Sequence, residues 1–275
     1  MTAVIDTLPK ITLKPASGNC GAHVSGVDLQ APHSAETGKF LVRALHEHGV
    51  LFFEYDREVS AQEFHDFGKM FGELEDGYRL SALEDKPTPG DGDGIMDSDK
   101  APMKQFQTNK WHGDGTLFEY PPQAAMLTCV EAPPAGGGTM WASMYAAWDD
   151  LSSYTQRLLE EVEVLNSAKR LPWLKSDATA VHPAVITDKI TGKKALFVNE
   201  NYSERILGMS EHESETLLQM LFRHVNTPEY HVRYDWQPGR IAVWEERVTQ
   251  HRGVADFSGP RKMRRLTFIG DKPVR

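Results

Sequence analysis

Four consecutive residues, Trp111-His112-Gly113-Asp114, carry the plainest chemical suggestion in the chain. In an extended segment residues i and i+2 point to the same face, so His112 and Asp114 can offer an imidazole and a carboxylate to one ion, with Gly113 giving the backbone room. One more histidine would complete two nitrogens and a carboxylate oxygen on one face of an octahedron. Three positions would stay open, the arrangement of non-haem Fe(II) oxygenases. The spacing alone is weak: eleven histidines, with roughly one residue in fifteen an Asp, give about 0.7 such pairs by chance. The plain alternative is a polar pair at a strand end. A candidate third ligand is His251, at the end of Trp244-Glu245-Glu246-Arg247-Val248-Thr249-Gln250-His251 and beyond the apolar strand Ile241-Ala242-Val243. His182, His224 and His231 compete for that role. His224 falls on a helix before Pro228 and His182 precedes a proline in loop-like sequence, so both read better as solvated or core histidines.

A basic run, Arg261-Lys262-Met263-Arg264-Arg265, raises a second question. Its plain reading is a solvated or nucleic-acid-binding cluster. As a strand, however, 261–268 puts Arg261, Met263, Arg265 and Thr267 on one face and Leu266 and Phe268 on the other. Two arginines facing an interior need anions to meet them, and a bidentate guanidinium–carboxylate pair is the natural partner. Ala135-Gly136-Gly137-Gly138-Thr139 fails as a phosphate loop because no Lys-Ser/Thr follows. Thr139 makes sense as a hydroxyl presented toward the same anion, or as an ordinary turn residue.

These groups need a scaffold to position them. Residues 11–30 read as short extended pieces around Gly18, Gly21 and Gly26. Phe40, Leu41, Ala44 and Leu45 recur at helical spacing over 35–48, Gly49 stops that helix, and Val50–Phe53 follows as a buried strand. Ser60 with Glu63 forms a capping-box pattern for a second helix ending at Gly72. Residues 84–110, with Pro87, Pro89, Gly90, Gly92 and Gly94 among acidic residues, read as a long loop and a lid candidate. From 111 onward short β-like runs alternate with turns. Helices over 152–164 and 211–224 interrupt them, the latter capped by Ser210. Strands at 230–235, 240–244 and 262–269 close the chain. The pattern predicts a mainly β fold, one sandwich with helices packed on it.

Composition narrows the function classes. Of 275 residues, 25% are charged and 40% hydrophobic, which excludes a disordered, collagenous or coiled-coil chain. A formal net charge of −9 argues against nucleic acid and anionic membrane as partners. Cys20 and Cys129 are too few for a disulfide framework or a thiolate metal site. Residues 1–10 carry no signal pattern and no stretch approaches about 18 apolar residues, so a cytoplasmic location is expected.

Taken together, these segments resemble the TauD/TfdA family of Fe(II)- and 2-oxoglutarate-dependent dioxygenases. The resemblance runs from Gly21-Ala22-His23-Val24-Ser25-Gly26-Val27-Asp28-Leu29 through Phe71-Gly72-Glu73-Leu74, Trp111–Asp114, Gly137-Gly138-Thr139-Met140-Trp141-Ala142-Ser143 and Phe197-Val198-Asn199 to His251-Arg252-Gly253-Val254-Ala255-Asp256-Phe257. It implies a double-stranded β-helix (jelly roll) forming a single domain over 1–275. It further implies iron on His112, Asp114 and His251, and 2-oxoglutarate held at its distal carboxylate by Thr139 and Arg261. Arg265 would lie near the substrate's anion or the cosubstrate's inner carboxylate. Gly113, Tyr78, Arg79, Trp173 and Tyr202 would line the substrate pocket.

Three departures stand out. The segment after Asp256 is one residue shorter than the common pattern, which leaves Arg264 as an alternative to Arg265. Trp244-Glu245-Glu246 replaces the family's frequent Trp-Asp-Asn. The stretch Glu75-Asp76-Gly77-Tyr78-Arg79 lacks the histidine that taurine dioxygenase uses near the sulfonate, which argues against taurine.

The implied reaction is hydroxylation, with cleavage where the carbon bears oxygen or sulfur, of a small carboxylate, sulfonate or sulfate ester. It consumes O2 and 2-oxoglutarate and releases succinate and CO2. Asp114 fills the position a halide would need, which disfavours a halogenase. A Zn-dependent hydrolase could use the same ligands but leaves Arg261 and Thr139 unexplained; a non-catalytic jelly-roll binding protein leaves the complete ligand set unexplained. Expected partners are a small anionic organic substrate and further copies of the chain.

Overall fold

A computed structural model describes residues 11–75, 95–97 and 109–275. The strands are β1 (Thr12–Pro15), β2 (Ala22–Ser25), β3 (Val50–Glu54), β4 (Ile95–Asp97), β5 (Ala124–Glu131), β6 (Thr139–Ser143), β7 (Glu163–Ser167), β8 (Thr179–Pro183), β9 (Val185–Thr187), β10 (Lys194–Leu196), β11 (Ser203–Ile206), β12 (His231–Tyr234), β13 (Arg240–Glu245), β14 (Thr249–Gly253) and β15 (Lys262–Thr267). The helices are α1 (Ala35–His48), α2 (Ala61–Gly68), α3 (Met144–Asp149), α4 (Ser153–Glu161) and α5 (Glu211–Val225).

Seven strands form the main sheet in the order β1-β2-β3-β13-β5-β15-β4, and β12-β6-β14 form a second sheet. Period-two alternation gives the main sheet two apolar faces. On β13, Ile241 and Val243 join Leu51, Phe53, Met126 and Phe268 against Leu41 and Leu45 of α1 and Phe64 and Phe67 of α2. Ala242 and Trp244 point the other way, where Phe52, Leu127 and Met263 meet Trp141, Val232 and Tyr234 of the second sheet. A third cluster packs α3 and α5 against β9, β10 and the strand ends.

Local capping explains the helices that the sequence foretold. Ser34 caps α1, and Gly49 ends it in the left-handed region at φ 76°. Ser60 and Glu63 close a reciprocal capping box on α2, as Ser210 and Glu213 do on α5. The α2 helix stops at Gly68, four residues before the expected Gly72. The chain tightens there into turns, Met70 N–H to Phe67 O and Phe71 N–H to Gly68 O. Gly68 also lies so close to Leu266 and Met126 that a Cβ would stand 3.0 and 3.1 Å from them. Part of the expected 84–110 loop is strand: β4 pairs Ile95, Met96 and Asp97 with Arg264, Met263 and Lys262 of β15. The rest of that segment up to residue 108, with Tyr78 and Arg79, lies outside the described residues. Among the described residues no helix is long and apolar enough to cross a membrane.

Candidate metal centre

His112 and Asp114 lie on the segment that leads into β5, and His251 is the middle residue of β14. A short antiparallel bridge ties the segments: the His112 amide donates to the His251 carbonyl (3.1 Å) and the His251 amide to the His112 carbonyl (2.8 Å). The two imidazoles therefore stand side by side, ring centroids 4.3 Å apart. Asp114 closes the group, with its Oδ1 3.6 Å from His112 Nε2 and its Oδ2 3.9 Å from His251 Nε2. One ligand atom from each of the three lies within 4.8 Å of the others, and all three side chains are buried.

The donor set suits a divalent cation. His112 Nδ1 lies 2.7 Å from the Lys110 carbonyl, so Nδ1 carries the proton and Nε2 keeps its lone pair. Burial holds both imidazoles below the ordinary histidine value, and the neighbouring His112 drives His251 lower still. Burial alone would raise Asp114, but Arg265, His251 and His112 reverse this and hold the carboxyl well below its usual range. Two neutral imidazoles and one ionised carboxylate fit a first-row divalent metal with open positions.

The arginine question resolves by register. Arg265 reaches into the site and pairs with Asp114, and its guanidinium lies 3.3 Å from Glu246 Oε1. Arg265 thus has two acidic partners. Glu246 also accepts from the Asp114 amide (3.0 Å) and from Trp244 Nε1 (2.8 Å). Burial and the Asp114 charge push its carboxyl well up, with Arg265 opposing. At Gly113 a Cβ would stand 3.0 Å from the Glu246 carbonyl, so a side chain there would press on the backbone that carries Glu246.

A second polar group forms at the start of β6. Arg261 is buried, and its Nε donates to the Gly137 carbonyl (2.8 Å). Desolvation lowers its pKa to about 10, so it remains a cation at neutral pH. Thr139 Oγ accepts from Trp236 Nε1 at 2.9 Å, which leaves the hydroxyl proton available to another acceptor. Trp236 escaped the sequence reading; a single tryptophan before the Pro238-Gly239 turn carries no spacing signal.

The competing histidines are committed elsewhere. The Nε2 of His182 lies 3.0 Å from the carbonyls of Thr116 and Phe118, that of His224 2.8 Å from Ala147 O, and that of His231 2.6 Å from Val225 O. Trp173 and Tyr202 come together in an apolar cluster with Leu117, Ala168, Leu171 and Leu174.

With this geometry in place, the comparisons with known proteins become decisive. The sequence profile of the family described as "Taurine catabolism dioxygenase TauD, TfdA family" matches residues 12–267. The chain belongs to this family. It is 30% identical to an alkylsulfatase of Acinetobacter baylyi, over 98% of this chain and 88% of that protein. It is also 30% identical to an alpha-ketoglutarate-dependent sulfate ester dioxygenase of Pseudomonas putida, over 99% and 95%. A solved taurine dioxygenase from Burkholderia xenovorans superposes with a TM-score of 0.81 at 29% identity, covering 97% of this chain and 91% of that one. The chain is accordingly a 2-oxoglutarate-dependent non-haem iron dioxygenase that uses Fe(II), 2-oxoglutarate and O2.

Proposed function

We propose that this dioxygenase hydroxylates a small sulfate ester or sulfonate at the carbon bearing the heteroatom, so that the product collapses with release of the inorganic anion. In this reading the chain, 1–275, forms one jelly-roll domain, with the main sheet and β12-β6-β14 as its two facing halves. His112, Asp114 and His251 hold the metal; the single observation that carries the reading is the convergence of their buried ligand atoms within 4.8 Å. Thr139 and Arg261 hold the distal carboxylate of 2-oxoglutarate, one as a hydroxyl donor and the other as a desolvated cation.

Bound iron and 2-oxoglutarate supply the oxidising power, and the chain supplies orientation and charge. Arg265 is the candidate partner for the substrate's anion. Its guanidinium already answers Asp114 and Glu246, so the anion joins an existing ion cluster and does not meet a lone cation. The names of the two 30%-identical relatives support sulfate esters as the first class to test. Trp173, only partly buried at the edge of its cluster, and Tyr202 are candidates to line the pocket.

The test is a screen of alkyl sulfates, alkanesulfonates and carboxylates of matched chain length, scored by substrate-stimulated succinate and by released sulfate or sulfite. Sulfate esters should stimulate most, and His112→Ala or His251→Ala should abolish turnover while leaving the melting curve of the metal-free protein in place. A neutral compound as best substrate would overturn the anion assignment. Full activity in His251→Ala would overturn the metal assignment.

A further inference from the structure

Glu246 lies at the point where three parts of the site meet. Its carboxylate is almost fully buried, and both oxygens face donors. Oε2 accepts the Asp114 amide at 3.0 Å. Oε1 accepts Trp244 Nε1 at 2.8 Å and stands 3.3 Å from an Arg265 guanidinium nitrogen. On the Oε2 side, 3.7 Å away, is His251 Nδ1, a buried ring nitrogen with no hydrogen-bond partner among the described residues. N–H···O bonds extend to about 3.2 Å, so a shift of the ring by about half an ångström makes this bond. The two metal-site histidines differ in this respect: His112 Nδ1 already has the Lys110 carbonyl.

We infer that Glu246 is a positioning residue, orienting His251 through Nδ1, Asp114 through its amide and Arg265 through its guanidinium, all from one carboxylate. The inference rests on the metal assignment proposed above. Its chemistry is specific. Among the described residues each oxygen faces only N–H donors, two on each side if His251 ligates through Nε2. A side chain with an acceptor at both ends satisfies all four, whereas an amide must turn its NH2 toward one donor pair whichever way it is flipped. The symmetric acceptor therefore spans the site from Trp244 to Asp114. A carboxylate behind a ligating histidine fixes the ring's tautomer and direction, and losing such a partner typically costs about 10–100-fold in metal affinity.

The experiment titrates the metal-free protein with Mn(II) alone, without 2-oxoglutarate, for the natural chain and for Glu246→Gln and Glu246→Ala. Melting curves of the metal-free proteins are recorded in parallel. Glu246→Gln keeps the volume and should weaken Mn(II) binding by at least tenfold with little change in melting temperature. Its Co(II)-loaded form should show shifted visible ligand-field bands, a change that neither a distant charge nor lowered stability produces. Binding as tight as in the natural chain, with unchanged Co(II) bands, would overturn the role of Glu246 while leaving the metal assignment intact. If the natural chain itself fails to bind Mn(II) or Co(II), the metal assignment falls and this inference with it.

Discussion

At the scale of single residues, the proposed cosubstrate end of the site depends on which donors remain after internal bonds are made. Thr139 Oγ spends a lone pair on Trp236 Nε1, so its proton direction is fixed by a side chain 97 positions away in sequence. Arg261 is anchored by Nε on the Gly137 carbonyl, which fixes where its buried guanidinium lies. Truncating a charged partner of a buried carboxylate costs about 2–5 kcal/mol. Arg261→Ala should therefore raise the 2-oxoglutarate KM well over tenfold, read from succinate formation. Trp236→Phe keeps most of the volume but frees the Thr139 hydroxyl to rotate. One neutral hydrogen bond is worth about 1 kcal/mol, so the expected rise is about fivefold, with Mn(II) affinity unchanged. An unaltered KM in Arg261→Ala would show that 2-oxoglutarate binds elsewhere.

At the scale of elements, what was legible in the sequence was what local chemistry dictates. Ser34, Ser60 and Ser210 announce their helices through caps made within three residues, and the alternation on β15 foretold that Leu266 and Phe268 would pack away from Arg261 and Arg265. The α3 helix was not legible because Met144-Tyr145-Ala146-Ala147-Trp148 is apolar all round and follows a strand directly; tertiary packing, not periodicity, decides its state. Nor could the sequence show that Glu245 and Glu246 serve opposite sides of the main sheet. Glu245 turns toward Arg247 and, at 3.6 Å, toward His46 of α1, while Glu246 turns to the metal ligands. The glycine turn before β6 makes a prediction at this scale. Gly136 has φ 74°, and a Cβ there would come within 2.3 Å of the Asp256 carbonyl. Asp256 in turn accepts the Gly137 amide and pairs with Arg233. Gly136→Ala combines strain at positive φ with a backbone clash, each of order 1–3 kcal/mol. It should lower the melting temperature and, by shifting the Gly137 carbonyl that holds Arg261, also raise the 2-oxoglutarate KM. A normal KM in a destabilised variant would separate the turn from the pocket.

For the whole molecule, the same desolvation that keeps the two metal-site imidazoles neutral sets how stability responds to acid. His182 is fully buried between the Thr116 and Phe118 carbonyls, and burial lowers its pKa from the ordinary 6.5. Above pH 6.5 neither the folded nor the unfolded chain protonates it. Below that value the unfolded chain takes up a proton and the folded chain does not, so stability falls as pH drops toward the folded value. Burial lowers His231 in the same direction, as it does His112 and His251 in the metal-free protein. Asp188 acts in a second window. Burial would raise it, but hydrogen bonds from His46 and Thr191 outweigh this and hold it below its ordinary 3.8. Its contribution is present above 3.8 and is lost as pH falls through the unfolded value toward the folded one. The metal-free protein should therefore lose melting temperature in two stages, first as pH falls below about 6.5 and again below about pH 4. His182→Gln can still donate to a carbonyl but does not titrate, so it should flatten the first stage and leave the second unchanged. Saturating Mn(II) should raise the melting temperature without flattening the first stage, because the metal keeps His112 and His251 unprotonated in the folded chain while the unfolded chain still takes up their protons. Glu246→Gln removes the opposing proton uptake of the raised Glu246 carboxyl. A melting temperature constant from pH 7 to 5 both in the natural chain and in Glu246→Gln would mean that the buried histidines take up protons in the folded chain, and the neutrality argued for the two metal-site imidazoles would fail with it.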